Sequence, residues 1–336
     1  MPIIEATGLS RVFKTRKTTV EAVRGVDLTV EKGEIVGFLG PNGAGKTTTL
    51  RMLTTLLRPT AGTATVAGAD LLADPGEVRR KIGYVAQAIT GGGAGGGGSD
   101  PNAKVREELV IQAELYRLSK SEALARVPVL TAQLDLSGLD DRLVKTLSGG
   151  QRRRLDIALG LVHSPGLVFL DEPSTGLDPQ SRSNLWEHIR RIRDELGTTV
   201  FLTTHYLDEA DALCDRIMVI DAGRIVAEGS PDQLKRRISG DVVTLAVDGN
   251  ANMAERLLTA RPEVRDSAVT DHTVRLTVER GEEALPGLLR ALDAGGIGLT
   301  AIQLARPTLD DVFLTLTGRS LRDEQPATAR RTGAPA

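Results

Sequence analysis

Apolar residues in the first part of the chain alternate with polar ones and then run together. Within residues 1–40, "IIEATGLSRVF", "AVRGVDLTV" and "EIVGFLG" predict three strands broken by glycine and charged turns. Leu50, Leu53, Leu56 and Leu57 recur at helical spacing in "GKTTTLRMLTTLL", a helix that "RPTAG" should end. Two short strands follow, "GTATVAG" and "KIGYVAQ". Helices are predicted over "KVREELVIQAELYRL", over "SEALARVPVLTAQL" with an interruption near Pro128, and over "GGQRRRLDIALGLVHS". "LVFLDEP" reads as a buried strand, "SRSNLWEHIRRIRDEL" as a helix and "TTVFLTTH" as another strand. "YLDEADALC" reads as a helix and "DRIMVIDAGRIVAEG" as a hairpin. Strands alternating with helices imply an α/β layer architecture.

From about Gly240 the texture changes. "DVVTLAVDG", "ANMAERLLTA", "VRDSAVT", "HTVRLTVE", "EEALPGLLRALDAG" and "IGLTAIQLA" give the order β-α-β-β-α-β, the split βαβ or ferredoxin-like arrangement. A short helix over "TLDDVFLTLTG" follows Pro307. The expected division is residues 1–235, a smaller α+β domain over 240–318, and a polar, disordered tail over 319–336.

Composition narrows the function classes. Aromatic residues make up only 3%, so the core should be aliphatic. A formal net charge of −2 argues against a general polyanion-binding surface, and no nucleic-acid partner is expected. Cys214 is the single cysteine, which excludes an intramolecular disulfide and reads as a small buried apolar residue. The N-terminal "MPIIEATGLSRVFKTRK" carries charges where a signal peptide needs an apolar core. No uncharged apolar run approaches the roughly 18–20 residues of a membrane span. Work at a membrane would go through a partner.

Two stretches carry chemistry. "GPNGAGKTT", residues 40–48, fits the phosphate loop G-x-x-x-x-G-K-[ST] and lies between a strand and a helix. Its glycines let backbone N–H groups point inward, and the helix N-terminus favours an anion. Lys46 can bridge β- and γ-phosphate oxygens, Thr47 can ligate Mg²⁺, and Thr48 can bind a phosphate oxygen. This establishes a nucleoside triphosphate, not yet a function. In "LVFLDEP", residues 167–173, two carboxylates end a buried strand. Asp171 can hold Mg²⁺, and Glu172 is placed to act as a general base on water. Alone, such a pair is usually a solvated loop; beside a phosphate loop it becomes a site.

"LSGGQ", residues 147–151, reads locally as a helix start with Ser148 as N-cap. Its place between "GPNGAGKTT" and "LVFLDEP" resembles the signature of the ATP-binding cassette (ABC) ATPases. The resemblance covers roughly residues 3–235. It implies a P-loop ATPase core with an antiparallel β subdomain and a helical arm at about 100–165. It also implies ATP and Mg²⁺ as cofactors and a loop of Gly40, Pro41, Asn42, Gly43, Ala44, Gly45, Lys46, Thr47 and Thr48 on the phosphates. Gln87 matches a glutamine that contacts Mg²⁺ and water and faces a transmembrane partner. Asp178 in "STGLDP" matches an acidic loop position, and His205 a histidine that touches the γ-phosphate. Phe13 stands where an aromatic, more often tyrosine, stacks on adenine; it reads equally as a core strand residue. In this family two cassettes sandwich two nucleotides head to tail. Ser148, Gly149, Gly150 and Gln151 would then bind ATP held by a second copy.

His163, His188 and His272 read as satisfied polar residues, and Arg152–Arg154 as a solvated or interface face without chemistry. "ARPTLDDVFLTLTGR", residues 305–319, is similar to the end of drug-exporting ABC ATPases of the daunorubicin-resistance type. That likeness implies an ATPase subunit at the cytoplasmic face of the membrane, energising a separate permease for drugs, antibiotics or lipids. The competing classes are a soluble ABC protein of ribosomes or chromosomes and a non-enzymatic nucleotide sensor. The first is disfavoured by a single cassette without a heptad run, the second by the intact Lys46, Asp171, Glu172 and His205 set.

"AITGGGAGGGGSD", residues 88–100, is neither a domain linker nor a second phosphate loop. Cassette residues flank it on both sides, and it has no lysine–hydroxyl pair opening a helix. It reads as a flexible insertion, which costs little because doubling a loop adds only about 0.6 kcal/mol.

Overall fold

The computed structural model describes residues 1–14, 18–87, 100–238, 240–305 and 308–317. The glycine-rich insertion, apart from Asp100, and the tail over 319–336 lie outside these described residues. The chain divides into two compact units, Met1–Glu228 and Gly229–Ala336.

The first unit opens with the long strands β1 (Ile4–Lys14) and β2 (Thr19–Val30), followed by β3 (Ile35–Leu39) and helix α1 (Lys46–Leu53). Next come β4 (Ala61–Val66), β5 (Ala69–Asp70), α2 (Pro75–Lys81) and β6 (Ile82–Val85). The helices α3 (Val105–Leu115), α4 (Lys120–Gln133) and α5 (Gly149–Leu161) lead to β7 (Leu167–Asp171). The unit ends with α6 (Pro179–Leu196), β8 (Thr199–Thr204), α7 (Leu207–Leu213), β9 (Arg216–Asp221) and β10 (Arg224–Gly229).

Two sheets result. An antiparallel sheet has the order β2-β1-β4-β5. A second has the order β10-β9-β3-β8-β7-β6, and its strands from β9 to β6 run parallel. Strands β3, β7 and β8 are buried along their whole length, as continuous apolar runs between covered faces demand. The core is mainly aliphatic, but Phe38, Phe169 and Phe201 cross it side by side, with ring centroids 5.6 and 5.5 Å apart. Three of the five phenylalanines thus sit at the centre of the parallel sheet.

Three local readings change. Helix α1 stops at Leu53, short of Leu56 and Leu57. The Thr54 hydroxyl donates back to the Leu50 carbonyl at 2.9 Å, and Thr55 turns left-handed with φ 65°. Helix α4 runs through Pro128 without interruption. The ladder bond that proline forfeits would go to Leu124, on an exposed side of the helix. The short elements β5 and α2 lack a periodic pattern, although Asp74-Pro75 is a helix-opening pair.

The second unit contains α8 (Pro231–Ile238), β11 (Asp241–Asp248), α9 (Ala251–Thr259), β12 (Val264–Thr270), β13 (Thr273–Val278), α10 (Gly281–Ala294), β14 (Gly298–Ala305) and α11 (Leu309–Thr317). Its sheet has the order β12-β13-β11-β14, antiparallel throughout, which is the ferredoxin-like arrangement that the pattern predicts. Alternate residues Val243, Leu245 and Val247 of β11, and Val274, Leu276 and Val278 of β13, are buried with Leu258 of α9 and Leu288 of α10.

Helix α5 lies so close to β6 that only glycine fits between them. A Cβ on Gly83 would sit 2.2 Å from the Gly160 carbonyl oxygen and 3.1 Å from Val168. Gly83→Ala should therefore destabilise the protein by about 1–3 kcal/mol, read as a lower denaturant midpoint with an unchanged slope. Gly76→Ala in α2, with open space around it, should be neutral or stabilising. Equal midpoints for the two variants would contradict the close approach.

Candidate functional site

The carboxyl ends of four neighbouring parallel strands, β3, β8, β7 and β6, deliver the candidate residues to one place. Strand β3 runs into the loop 40–45, β8 into His205, β7 into Asp171 and Glu172, and β6 into Gln87. Ligands of open α/β sheets bind at this end.

In the loop, Gly43 and Gly45 have φ of 79° and 109°, the region that side chains avoid. Gly45 caps α1 with no side-chain hydrogen bond, so a bound anion could take the helix's first N–H groups. Pro41, Ala44 and Gly45 are buried, Asn42 and Gly43 exposed, and Thr48 half-buried. The buried Lys46 ammonium donates to the carbonyls of Gly40 at 2.7 Å and Pro41 at 3.0 Å. It also lies 3.4 Å from the Glu172 carboxylate.

Asp171 Oδ1 accepts from the Thr203 hydroxyl at 2.6 Å and from the Thr47 hydroxyl at 3.1 Å. Thr47 and Asp171 present hard oxygen donors side by side. Among the described residues, no group of three or more His, Cys, Asp and Glu side chains could hold a metal by itself. A hard cation here would take its other ligands from phosphate and water, which suits Mg²⁺.

Glu172 is the centre of the cluster. Its Oε2 accepts from Gln87 Nε2 at 2.9 Å and from the Thr175 hydroxyl at 3.2 Å, and lies 3.3 Å from His205 Nδ1. Burial pushes its carboxyl up, but the His205 ring, the Lys46 ammonium and the Thr175 hydroxyl outweigh burial and hold it down at about 2. The backbone of Glu172 is left-handed, φ 44°, which is uncommon for a residue with a side chain and stores strain.

The sequence reading missed the group that braces this turn. Arg153 is not on a solvated face: it is 2% exposed. Its guanidinium donates to the carbonyls of Ala86 at 2.8 Å, Pro173 at 2.9 Å and Asp171 at 3.2 Å. A signal existed, because Arg153 lies four residues before the buried Ile157, on one face of α5. Glu209 of α7 was also overlooked. It is fully buried and accepts from Trp186 Nε1 at 3.1 Å and from the Ser174 hydroxyl. Burial pushes its carboxyl up against those donors.

The signature residues form a separate cluster. Ser148 and Gln151 cap α5 reciprocally: Gln151 N donates to Ser148 Oγ at 3.3 Å and Ser148 N to Gln151 Oε1 at 3.0 Å. A Cβ on Gly150 would lie 3.3 Å from Ser181 Oγ, and the space around Gly149 is open. Asp178 caps α6, accepting from Ser181 N at 2.9 Å. Phe13 is no core residue; it is 38% exposed, with the Arg11 guanidinium 4.7 Å from its ring centroid. His188 bonds Asp135 at 3.0 Å, and His163 stacks on Tyr116.

Residues 23–175 match the ABC transporter family, and residues 229–317 match the family described as ATP-binding protein DrrA1-3-like, C-terminal domain. The chain is 44% identical over 326 residues to the daunorubicin/doxorubicin resistance ATP-binding protein DrrA of Streptomyces peucetius, covering 95% of this chain and 94% of that protein. It is 36% identical to the linearmycin resistance ATP-binding protein LnrL of Bacillus subtilis, covering 90% and 95% of the two. Among solved structures, cbiO1 from Clostridium perfringens, part of the ABC transporter complex cbiONQ, matches with a TM-score of 0.60 and 27% identity. That match covers 69% of this chain and 90% of the other. The chain belongs to the ATP-binding subunits of ABC transporters, proteins that bind ATP and hydrolyse it.

Proposed function

We propose that ATP is hydrolysed at the cluster around Glu172. The carrying observation is that one buried carboxylate lies within 3.4 Å of Lys46, Gln87 and His205 at the mouth of a phosphate loop. The loop N–H groups, Lys46 and Thr48 hold the β- and γ-phosphates, and Phe13 stacks on the adenine. Mg²⁺, held by Thr47, Asp171 and Gln87, would neutralise charge on the phosphates. The Gln87 amide nitrogen already serves Glu172, which leaves its oxygen for the metal. Glu172 takes a proton from the attacking water, whose oxygen bonds to the γ-phosphorus as the bond to ADP breaks. His205 faces the same phosphate and positions the water.

A second copy of the chain supplies Ser148, Gly149, Gly150 and Gln151 to this site, and Asp178 lines the junction. The open approach at Gly149 supports this, since a phosphate oxygen needs bare backbone N–H groups. ATP binding then closes the dimer, and hydrolysis releases it. Among the described residues no helix is long and apolar enough to cross a membrane. The force would pass to a separate permease from the cytoplasmic face. Both relatives are named for resistance, to daunorubicin/doxorubicin and to linearmycin, which supports export of drugs, antibiotics or lipids.

Glu172→Gln should keep ATP binding, lower turnover about 10²-fold or more, and accumulate a nucleotide-bound dimer in size-exclusion chromatography. Unchanged steady-state hydrolysis would remove Glu172 from the role of base. Acid should reveal the same carboxylate in stability. Its folded value of about 2 lies below its ordinary 4.5, so its ionised form adds stability above pH 4.5 that is lost as pH falls toward 2. The full contribution is on the order of 3 kcal/mol. The stability difference between wild type and Glu172→Gln, measured by denaturant, should stay level from pH 7 to about pH 5 and shrink from there to pH 3. A difference independent of pH would show that the carboxylate is not stabilised in the fold.

A further inference from the structure

Glu172 stands on backbone that resists its conformation, and something has to keep it there. Its N–H donates to both the carbonyl and the hydroxyl of Thr203, at 3.1 and 3.0 Å. That fixes the entry to the turn from the β8 side. The carbonyls on either side of Glu172, those of Asp171 and Pro173, are both gripped by Arg153. The third bond of the same guanidinium goes to Ala86, the residue immediately before Gln87. A planar fork of fixed geometry therefore sets the distance between the Glu172 turn and the start of the Gln87 segment.

The anchoring is rigid. Arg153 lies on α5, which is locked against β6 by the contact of Gly83 with the Gly160 carbonyl. Asp156, one turn further along α5, places its carboxylate 3.8 Å from the guanidinium and partly offsets the buried charge. None of the three bonds reaches a side chain of the site, so Arg153 touches no reacting atom.

We infer that Arg153 is a positioning residue for hydrolysis: it holds Glu172 in its left-handed turn and in register with Gln87, and so ties the base to the signature helix of the same subunit. This rests on the reading of Glu172 as base. The role differs from ordinary core packing, because three carbonyl acceptors in two segments need three directed donors. A lysine keeps the charge and the aliphatic stem but offers a point-like ammonium that cannot span them.

The test is steady-state ATP hydrolysis by the full chain, comparing wild type, Arg153→Lys, Gln87→Ala, the double variant and Glu172→Gln. Assays run well below each variant's unfolding midpoint. Arg153→Lys should lower kcat at least tenfold while KM for ATP stays within threefold. Gln87→Ala should also lower kcat, and the double variant should fall no more than threefold below the slower single variant, because both changes break the same register. Should Arg153→Lys not fold, Arg153→Gln, whose amide still donates, takes its place with the same expectations. A kcat within threefold of wild type overturns the proposal. So does a double variant whose loss is the product of the two single losses, or a loss that only follows the folded fraction. If Glu172→Gln turns over normally, the base assignment fails. The coupling of Arg153 to Gln87 is still decided by the other four proteins.

Discussion

A carboxylate taken out of water must be compensated from several sides, and most of the first unit is arranged so that Glu172 is. Its side chain is only 7% exposed. One oxygen faces the Lys46 ammonium, and the other receives Gln87 and Thr175 beside the His205 ring. An uncompensated buried charge costs several kcal/mol, so the partners cannot be moved independently. Each comes from a different strand end, and each strand end is fixed by the parallel ladder. Leu39 pairs with Thr204, Asp171 with Thr203, and Val85 with Leu170. The register of four strands is therefore also the geometry of the site. Phe38, Phe169 and Phe201, packed across β3, β7 and β8, would have to unpack for that register to slip.

Much of this was legible in the sequence because the relevant information is local. "GPNGAGKTT" needs a strand before it and a helix after it, and both sit within a few residues. The strands before Glu172 and His205 are short apolar runs that end in polar residues, a pattern that places those residues at a strand end without knowledge of the topology. The ferredoxin-like order of the second unit was legible for the same reason: β11 and β13 alternate cleanly over one buried face. The sequence was silent where a residue's meaning depends on rotation about an axis. Arg152, Arg153 and Arg154 are chemically identical neighbours, about 100° apart on a helix, and only one can point inward. The left-handed turn at Glu172 was also hidden, since glutamate carries no preference for it. Helix length near Leu53 and continuity through Pro128 were misjudged because threonine back-bonding and local exposure decided them, not periodicity.

The two units answer different questions. The first carries every candidate residue for ATP chemistry, and it contains the stretch 23–175 that matches the ABC transporter family. The second has its own core and its own sheet, without a contribution to those residues. It is this second unit that matches the DrrA1-3-like C-terminal family. The likeness to the resistance proteins spans both units, since the DrrA alignment covers 95% of this chain. The proposed cargo therefore rests on those relatives as wholes, not on the site geometry.

Helix α5 joins two of these requirements in one rigid element. Its N-terminus presents the Ser148 hydroxyl and the N–H groups of Gly149 and Gly150, which can meet an anion. Little more than one turn later, Arg153 reaches back through the protein interior to the carbonyls around Glu172 and before Gln87. A helix transmits displacement along its axis with little loss, and this one cannot slide over β6 without forcing Gly160 into Gly83. On the proposed head-to-tail dimer, the N-terminus of α5 would serve the nucleotide of the partner, while its Arg153 braces the base of its own subunit. Closure at one site would then bear directly on the register of the other. On that reading one rigid helix, fixed by two glycines and one buried guanidinium, carries both the contact to the partner's nucleotide and the brace on its own Glu172 turn.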